Sequence, residues 1–406
     1  MNYKMIVLYI VGISFVFSVL IKILELNSVK REIPENVKDV YNKNTYQKWI
    51  SYEKERIMVG VGKHIVVYLV TFLLIWFDTY AKMISDMNLV AQGDSCTMII
   101  MVNLFIYTIC TLPFEYICNI RIEEKYGFNR MTKKAFLKEQ LLFLVLSFCI
   151  RFALMQIFIE FYTRFGIWSL AGIALLIVFF ELYVYVKPKK MTDYSKYRDL
   201  PEGELRDRLL NVMKTNDCIV HAIKIAEGSK RSSKANAYYT SDGDLKIIVL
   251  SDTLFEQLDD NEIVAVFTHE LGHNKYKDDM KQKLLRLIFF YVCVLILFGL
   301  VSLEQLYKYF GFCEVNYGFA FVLLINVCVP FLKPFYGLIN YAFLRKMEYN
   351  ADMFVVKNGY GSAFISALKK LSYNSFACLN PHPLVVKLTY SHPTLSQRIK
   401  AIYNQL

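Results

Sequence analysis

Charge is scarce in this chain. Asp, Glu, Lys and Arg make up 20% of its 406 residues, where soluble domains carry about 25%. Cysteine is sparse too: nine residues, an odd number, with no C-x-x-C pair. That excludes a disulfide framework. Cys110, Cys149, Cys293 and Cys328 sit inside apolar runs and read as small buried hydrophobes. Internal repeats and low-complexity tracts are absent. Histidine is rare, six in all, so a metal-ligand spacing among so few carries weight. What the chain has instead is apolar bulk. Hydrophobic residues are 55% and aromatics alone 16%, and the mean hydropathy is +0.32. Disorder is excluded. So much apolar surface needs an unusually large core or an apolar solvent.

Seven stretches are long and apolar enough to cross a bilayer, which takes about 20 residues each. They are 5–24, 57–79, 97–118, 139–161, 166–186, 286–307 and 316–338. The first lacks a small-residue cleavage pattern and runs into Lys22, so it reads as a retained anchor rather than a signal peptide. The fourth carries Arg151, and the seventh carries Pro330, Lys333 and Pro334.

The net charge of +11 follows these spans. The segments between spans one and two and between three and four hold thirteen Lys and Arg, the alternate segments only four. The basic side is cytosolic by the positive-inside rule. An odd number of spans then places the N-terminus outside and the C-terminus in the cytosol. The basic residues form no single stripe interleaved with aromatics, so the charge reads as topology and a nucleic-acid partner is excluded.

The expected fold is mainly α, a polytopic membrane protein with a cytosolic α+β domain. Residues 1–186 hold the first five transmembrane helices, and 286–338 helices six and seven. The polar segments 187–285 and 339–406 fall on the same side and together make about 165 residues, an ordinary domain size. Within the first, Glu202 to Met213 reads as a helix. Ala235–Thr240 and Leu245–Leu250 read as strands joined by the turn Ser241-Asp242-Gly243-Asp244. Asp259 to Lys275 has helical spacing, with Asp259 or Asp260 as its N-cap.

That helix contains His269-Glu270-Leu271-Gly272-His273. Two His four apart share one helix face, and their imidazoles can reach one tetrahedral metal such as zinc. Glu270 is placed to take a proton from the attacking water and return it to the leaving amine. A catalytic zinc needs a third protein ligand. His221, His382 and His392 are candidates, as are many carboxylates. Glu348, four residues before Asp352 on one helix face, is the best placed. One of these two acids can ligate while the other takes an imidazole N–H.

The chain resembles the type I CAAX prenyl proteases, seven-span membrane zinc endopeptidases. The likeness is carried by Glu123-Glu124-Lys125-Tyr126-Gly127-Phe128-Asn129, Leu200-Pro201-Glu202-Gly203-Glu204-Leu205 and Glu227-Gly228-Ser229-Lys230-Arg231-Ser232-Ser233. It continues through Asn236-Ala237-Tyr238-Tyr239, Val249-Leu250-Ser251-Asp252-Thr253-Leu254 and the His269–His273 motif. Glu348-Tyr349-Asn350-Ala351-Asp352 and a tail with Pro381-His382-Pro383-Leu384, Ser391-His392-Pro393 and Gln397-Arg398-Ile399 complete it. Tyr126 stands where the family often has His, and Thr394 where a second Pro is common.

The resemblance implies that His269, His273 and Glu348 hold Zn2+, with Glu270 as the catalytic carboxylate. It implies that Asp352 orients a zinc-bound imidazole and that Arg398 sits near Glu348. Asn236 and His392 would contact the substrate or the developing oxyanion. Asn236 also lies on a candidate edge strand, where an extended peptide can add by strand pairing. The substrates implied are prenylated CAAX protein C-termini, which lose their last three residues at the membrane. The family's spans enclose a water-filled chamber. Arg151 and Lys333, costly in lipid, are expected to face it or to reach an interface. Two rival readings are a membrane quality-control protease without prenyl specificity and a seven-helix receptor or transporter. No dilysine-type retrieval signal ends the chain, and the organelle stays open between the endoplasmic reticulum and, in a bacterium, the plasma membrane.

Overall fold

The structure is a computed structural model that describes all residues except 1, 90, 167, 170, 173, 177–178, 180–196 and 243–244. Four long helices come first: α1 (Tyr3–Ser28), α2 (Lys43–Trp76), α3 (Gln92–Tyr116) and α4 (Lys133–Phe165). Side chains of Asn2, Asn42 and Thr132 cap α1, α2 and α4, each accepting from a first-turn backbone N–H. The polar unit follows, with β1 (Arg198–Asp199), α5 (Glu204–Thr215), β2 (Ala222–Ala226), β3 (Ala237–Asp242), β4 (Leu245–Ser251) and α6 (Asp260–Lys275). Next come α7 (Asp278–Ser302), α8 (Val329–Lys357), α9 (Gly361–Ser375), α10 (Pro383–Thr389) and α11 (Leu395–Tyr403).

Among the described residues six helices are long and apolar enough to cross a membrane. They account for the first four and the last two expected spans. The fifth, 166–186, lies largely outside the described residues. Helix α4 shows why a bilayer is required: Leu137, Leu141, Phe143, Leu146, Ile150 and Leu154 are all exposed along it. An apolar band that long has no place in water.

The helices overrun the apolar stretches. α2 starts at Lys43, well before residue 57, because its first turns bury Trp49 and Tyr52 against the polar unit. The final span runs unbroken from Tyr317 through a π turn at Leu324–Cys328 to Lys357. One 41-residue helix thus passes from the membrane into the polar unit.

Two large apolar cores result, beside two small clusters. One lies among α1, α2, α3, α4, α7 and the start of the last span, with Tyr307, Phe310 and Phe319 at its centre. The other joins β2, β4, α5, α6, α8, α9 and α11, and takes in Val37, Val40, Tyr41 and Trp49 from between the first two spans. The Tyr41 hydroxyl donates to the carbonyls of Ser372 and Ala377. The segment after α3 docks there as well: Lys234 reaches Glu123 at 2.7 Å, and Phe128–Arg130 pairs with Arg231–Ser233. Both basic connections therefore lie on the same side as the polar unit. At the opposite end, Lys4 meets Asp78 at 2.8 Å.

Between α1, α2, α3, α4 and the last span lies a cavity of about 750 Å³. Lys22, Lys63, His64, Arg151 and Lys333 line it, so both costly cations border this cavity between the helices.

The sheet has the order β1-β2-β4-β3. β2 runs parallel to β4, and β1 and β3 are antiparallel to their neighbours. β3 is an edge. Its outer side faces α6.

Candidate metal centre

α6 begins with a capping box: Asp259 accepts from the Glu262 N–H, and the Glu262 carboxylate accepts from the Asp259 N–H. Ile263, Val264, Ala265, Phe267 and Leu271 are almost fully buried, so the helix runs through the core rather than across a surface. That fixes where its two imidazoles point.

α8 crosses α6 at a glycine. A Cβ on Gly272 would stand 3.1 Å from Ala351 Cα and 3.3 Å from Ala351 Cβ. Glycine facing alanine lets the two backbones close up, and Glu348 then meets both imidazoles. Glu348 Oε2 lies 3.5 Å from Nε2 of His269, and Oε1 lies 3.3 Å from Nε2 of His273. One donor atom from each of the three residues falls within 4.8 Å of the others. Among the described residues this is the His-His-Glu grouping able to hold a metal ion.

The surroundings hold these three in place. Asp352, fully buried, puts Oδ1 3.0 Å from Nδ1 of His269. The pair is close but off the line of a full hydrogen bond. Arg398 grips Asp352 through two bonds of 2.6 and 2.9 Å, and its guanidinium is 3.7 Å from Glu348 Oε2. Phe364 from α9 stacks on the His269 ring at 5.2 Å. His273 Nδ1 faces Asp278 Oδ2 at 2.9 Å. His392, at 61% side-chain exposure, comes to 2.9 Å of Glu348 Oε2.

Burial alone would lower the pKa of both imidazoles. For His273, the neighbouring carboxylates of Asp278 and Glu348 outweigh it and the pKa is raised to about 10. His269 is raised likewise, by the nearby carboxylates of Asp352 and Glu348. For Glu270, burial raises the carboxyl above its ordinary range, against the pull of the two His. A divalent cation would displace protons from such imidazoles. The residues fit one: Glu348 Oε2 is buried without an aligned hydrogen-bond donor, and two imidazole nitrogens with one carboxylate are a zinc donor set.

Glu270 follows His269 and turns its carboxylate toward the edge strand, where Oε2 accepts from the Tyr239 N–H at 3.0 Å. The backbone of Asn236 is pinned to Ser251 at 2.8 Å and 2.9 Å, and its exposed side chain stands at the head of β3. The structure therefore brings His269, Glu270, His273, Glu348, Asp352, Arg398 and His392 into one centre, with Asn236 on the bordering strand. His221 bonds to the Lys246 N–H at 3.0 Å, and His382 caps α10; neither joins the centre. Asp278 was missed from sequence. Its signal, an acidic pair just past the motif helix, shows only once Lys277 takes a left-handed turn at φ 54° and swings the chain back.

Membrane-crossing helices that deliver a His-His-Glu cluster beside an edge strand of a sheet define a membrane-embedded metallopeptidase. The chain belongs to peptidase family M48, which matches residues 199–405. Residues 22–188 match the family described as "CAAX prenyl protease N-terminal, five membrane helices". Among curated proteins, the chain is 28% identical over 384 residues to a CAAX prenyl protease 1 homolog of Dictyostelium discoideum, covering 90% of this chain and 88% of that protein. CAAX prenyl protease 1 of Saccharomyces cerevisiae is 26% identical over 73% of this chain and 69% of its own. The crystal structure of S. mikatae Ste24p superposes with a TM-score of 0.89 over 99% of both chains at 22% identity, which establishes the common fold.

Proposed function

We propose that this chain is a zinc endopeptidase that removes the last three residues from proteins ending in a prenylated CAAX sequence. The observation that carries the reading is the convergence of His269, His273 and Glu348 beside β3, an edge strand of the sheet. The relatives named CAAX prenyl protease 1 supply the substrate class. In a eukaryotic cell we place it in the endoplasmic reticulum membrane, with the metal centre facing the cytosol on the side of the basic connections.

His269, His273 and Glu348 would hold the zinc. When bound, it supplies Lewis acidity to the scissile carbonyl and lowers the pKa of the attacking water. The rest falls to the chain. The backbone of β3 holds the substrate extended, as an added strand. Tyr239 fixes the Glu270 carboxylate by its N–H, and Glu270 takes the water's proton and passes it to the leaving amine. Asn236 and His392 would donate to the developing oxyanion. Asp352, gripped by Arg398, keeps the His269 ring turned toward Glu348.

The test compares a farnesylated peptide with its unprenylated twin. Purified protein should contain close to one equivalent of zinc and cleave the farnesylated peptide faster. Equal rates would point to membrane-protein quality control instead. Protein without zinc would reopen the reading as a receptor or transporter.

A further inference from the structure

We infer that Asp278 is a positioning residue for the metal centre: its carboxylate accepts a hydrogen bond from Nδ1–H of His273 and so turns Nε2 toward the metal. The inference rests on the zinc reading above. An imidazole that offers Nε2 to a metal must keep its proton on Nδ1, and the group that accepts a hydrogen bond from that N–H fixes both tautomer and ring angle. The structure supplies that group. Oδ2 of Asp278 lies 2.9 Å from Nδ1, while Nε2 of the same ring faces Glu348 Oε1 at 3.3 Å.

Three further observations agree. Asp278 is only 1% exposed, and a carboxylate is not retained at such depth without partners. Its second oxygen takes the Lys281 ammonium at 3.1 Å, which leaves Oδ2 committed to the imidazole. Asp278 does not cap its own helix, because the cap position of α7 is Lys277; the side chain turns back toward α6 instead. The pairing also repeats what happens at the other imidazole, where Asp352 stands 3.0 Å from Nδ1 of His269. Each ring thus has a buried carboxylate behind it. Each carboxylate comes from a helix that continues into the membrane, Asp278 from the start of α7 and Asp352 from the end of α8.

The experiment uses the full chain in detergent, stripped of metal and titrated with Zn2+ against a chelator of known affinity. Asp278→Ala and Asp278→Asn are compared with the unaltered protein. Removing the acceptor should weaken zinc binding by about 10–100-fold. The amide oxygen of Asn keeps an acceptor without the charge, so its loss should be smaller than that of Ala. With Co2+ in place of zinc, the visible absorption of the Ala variant should shift, because one imidazole is no longer held at its angle. A merely structural residue would lower the melting temperature of the metal-free protein and leave the affinity and cobalt spectrum of the folded fraction unchanged. That result overturns the inference. If the Ala variant does not fold, the Asn variant decides: affinity and spectrum equal to the unaltered protein overturn it equally. The unaltered protein's own titration tests the zinc reading separately.

Discussion

Glu270 and Gly272 sit two positions apart on one helix, and their loss should act on different quantities. Glu270→Gln keeps the size and the acceptor for the Tyr239 N–H, but it cannot take a proton. Peptide cleavage should fall by at least about 10²-fold, while zinc content by elemental analysis stays near that of the unaltered protein. Cleavage at an undiminished rate would refute the assigned role. Gly272→Ala places a methyl 3.1 Å from the α8 backbone. Overpacking of this kind costs roughly 1–3 kcal/mol, and here it also pushes Glu348 away from both imidazoles. A lower melting temperature together with weaker zinc binding is expected; an effect on melting alone would show that the α6–α8 approach does not set the ligand distance. The motif His269-Glu270-Leu271-Gly272-His273 names the ligands. Only the packed structure shows why Leu271 and Gly272 lie between them, one filling the core and the other admitting Ala351.

At the scale of elements, long apolar stretches announce themselves, and the six described spanning helices fall where hydropathy places them. Their ends do not. α2 and α8 run on into polar sequence because Trp49, Tyr52, Met347 and Ala351 are buried by partners far away in the chain. A window of local hydropathy has no access to such partners. The pairing of β3 with β4 was legible from the turn signal between two short strand patterns, whereas the reversal at Lys277 that brings Asp278 home was not. Helix contacts offer a check. A Cβ on Gly318 would come to 2.3 Å of the Cys96 carbonyl oxygen. Gly318→Val should therefore separate the last span from α3 and lower the melting temperature of the whole protein, measured in detergent. An unchanged melting temperature would mean that this approach is not needed for stability.

For the whole molecule, the metal reading predicts a reversible loss. A strong chelator should abolish cleavage, and one equivalent of Zn2+ should restore it; activity that survives complete metal removal would sink the reading. A further consequence comes from the unbroken helix Tyr317–Lys357. At about 1.5 Å per residue, roughly 45 Å of rod separates its membrane end from Glu348. Over that lever, a tilt of about 2° displaces the far end by about 1.5 Å, and a misplacement near 1 Å can cost a catalyst about 10²-fold. Helices adjust their tilt to bilayer thickness. Turnover in vesicles should therefore pass through a maximum as acyl chains lengthen, and a flat profile would show that the polar unit clamps the rod completely. The lipid around this protein is, in that sense, part of the mounting of its metal.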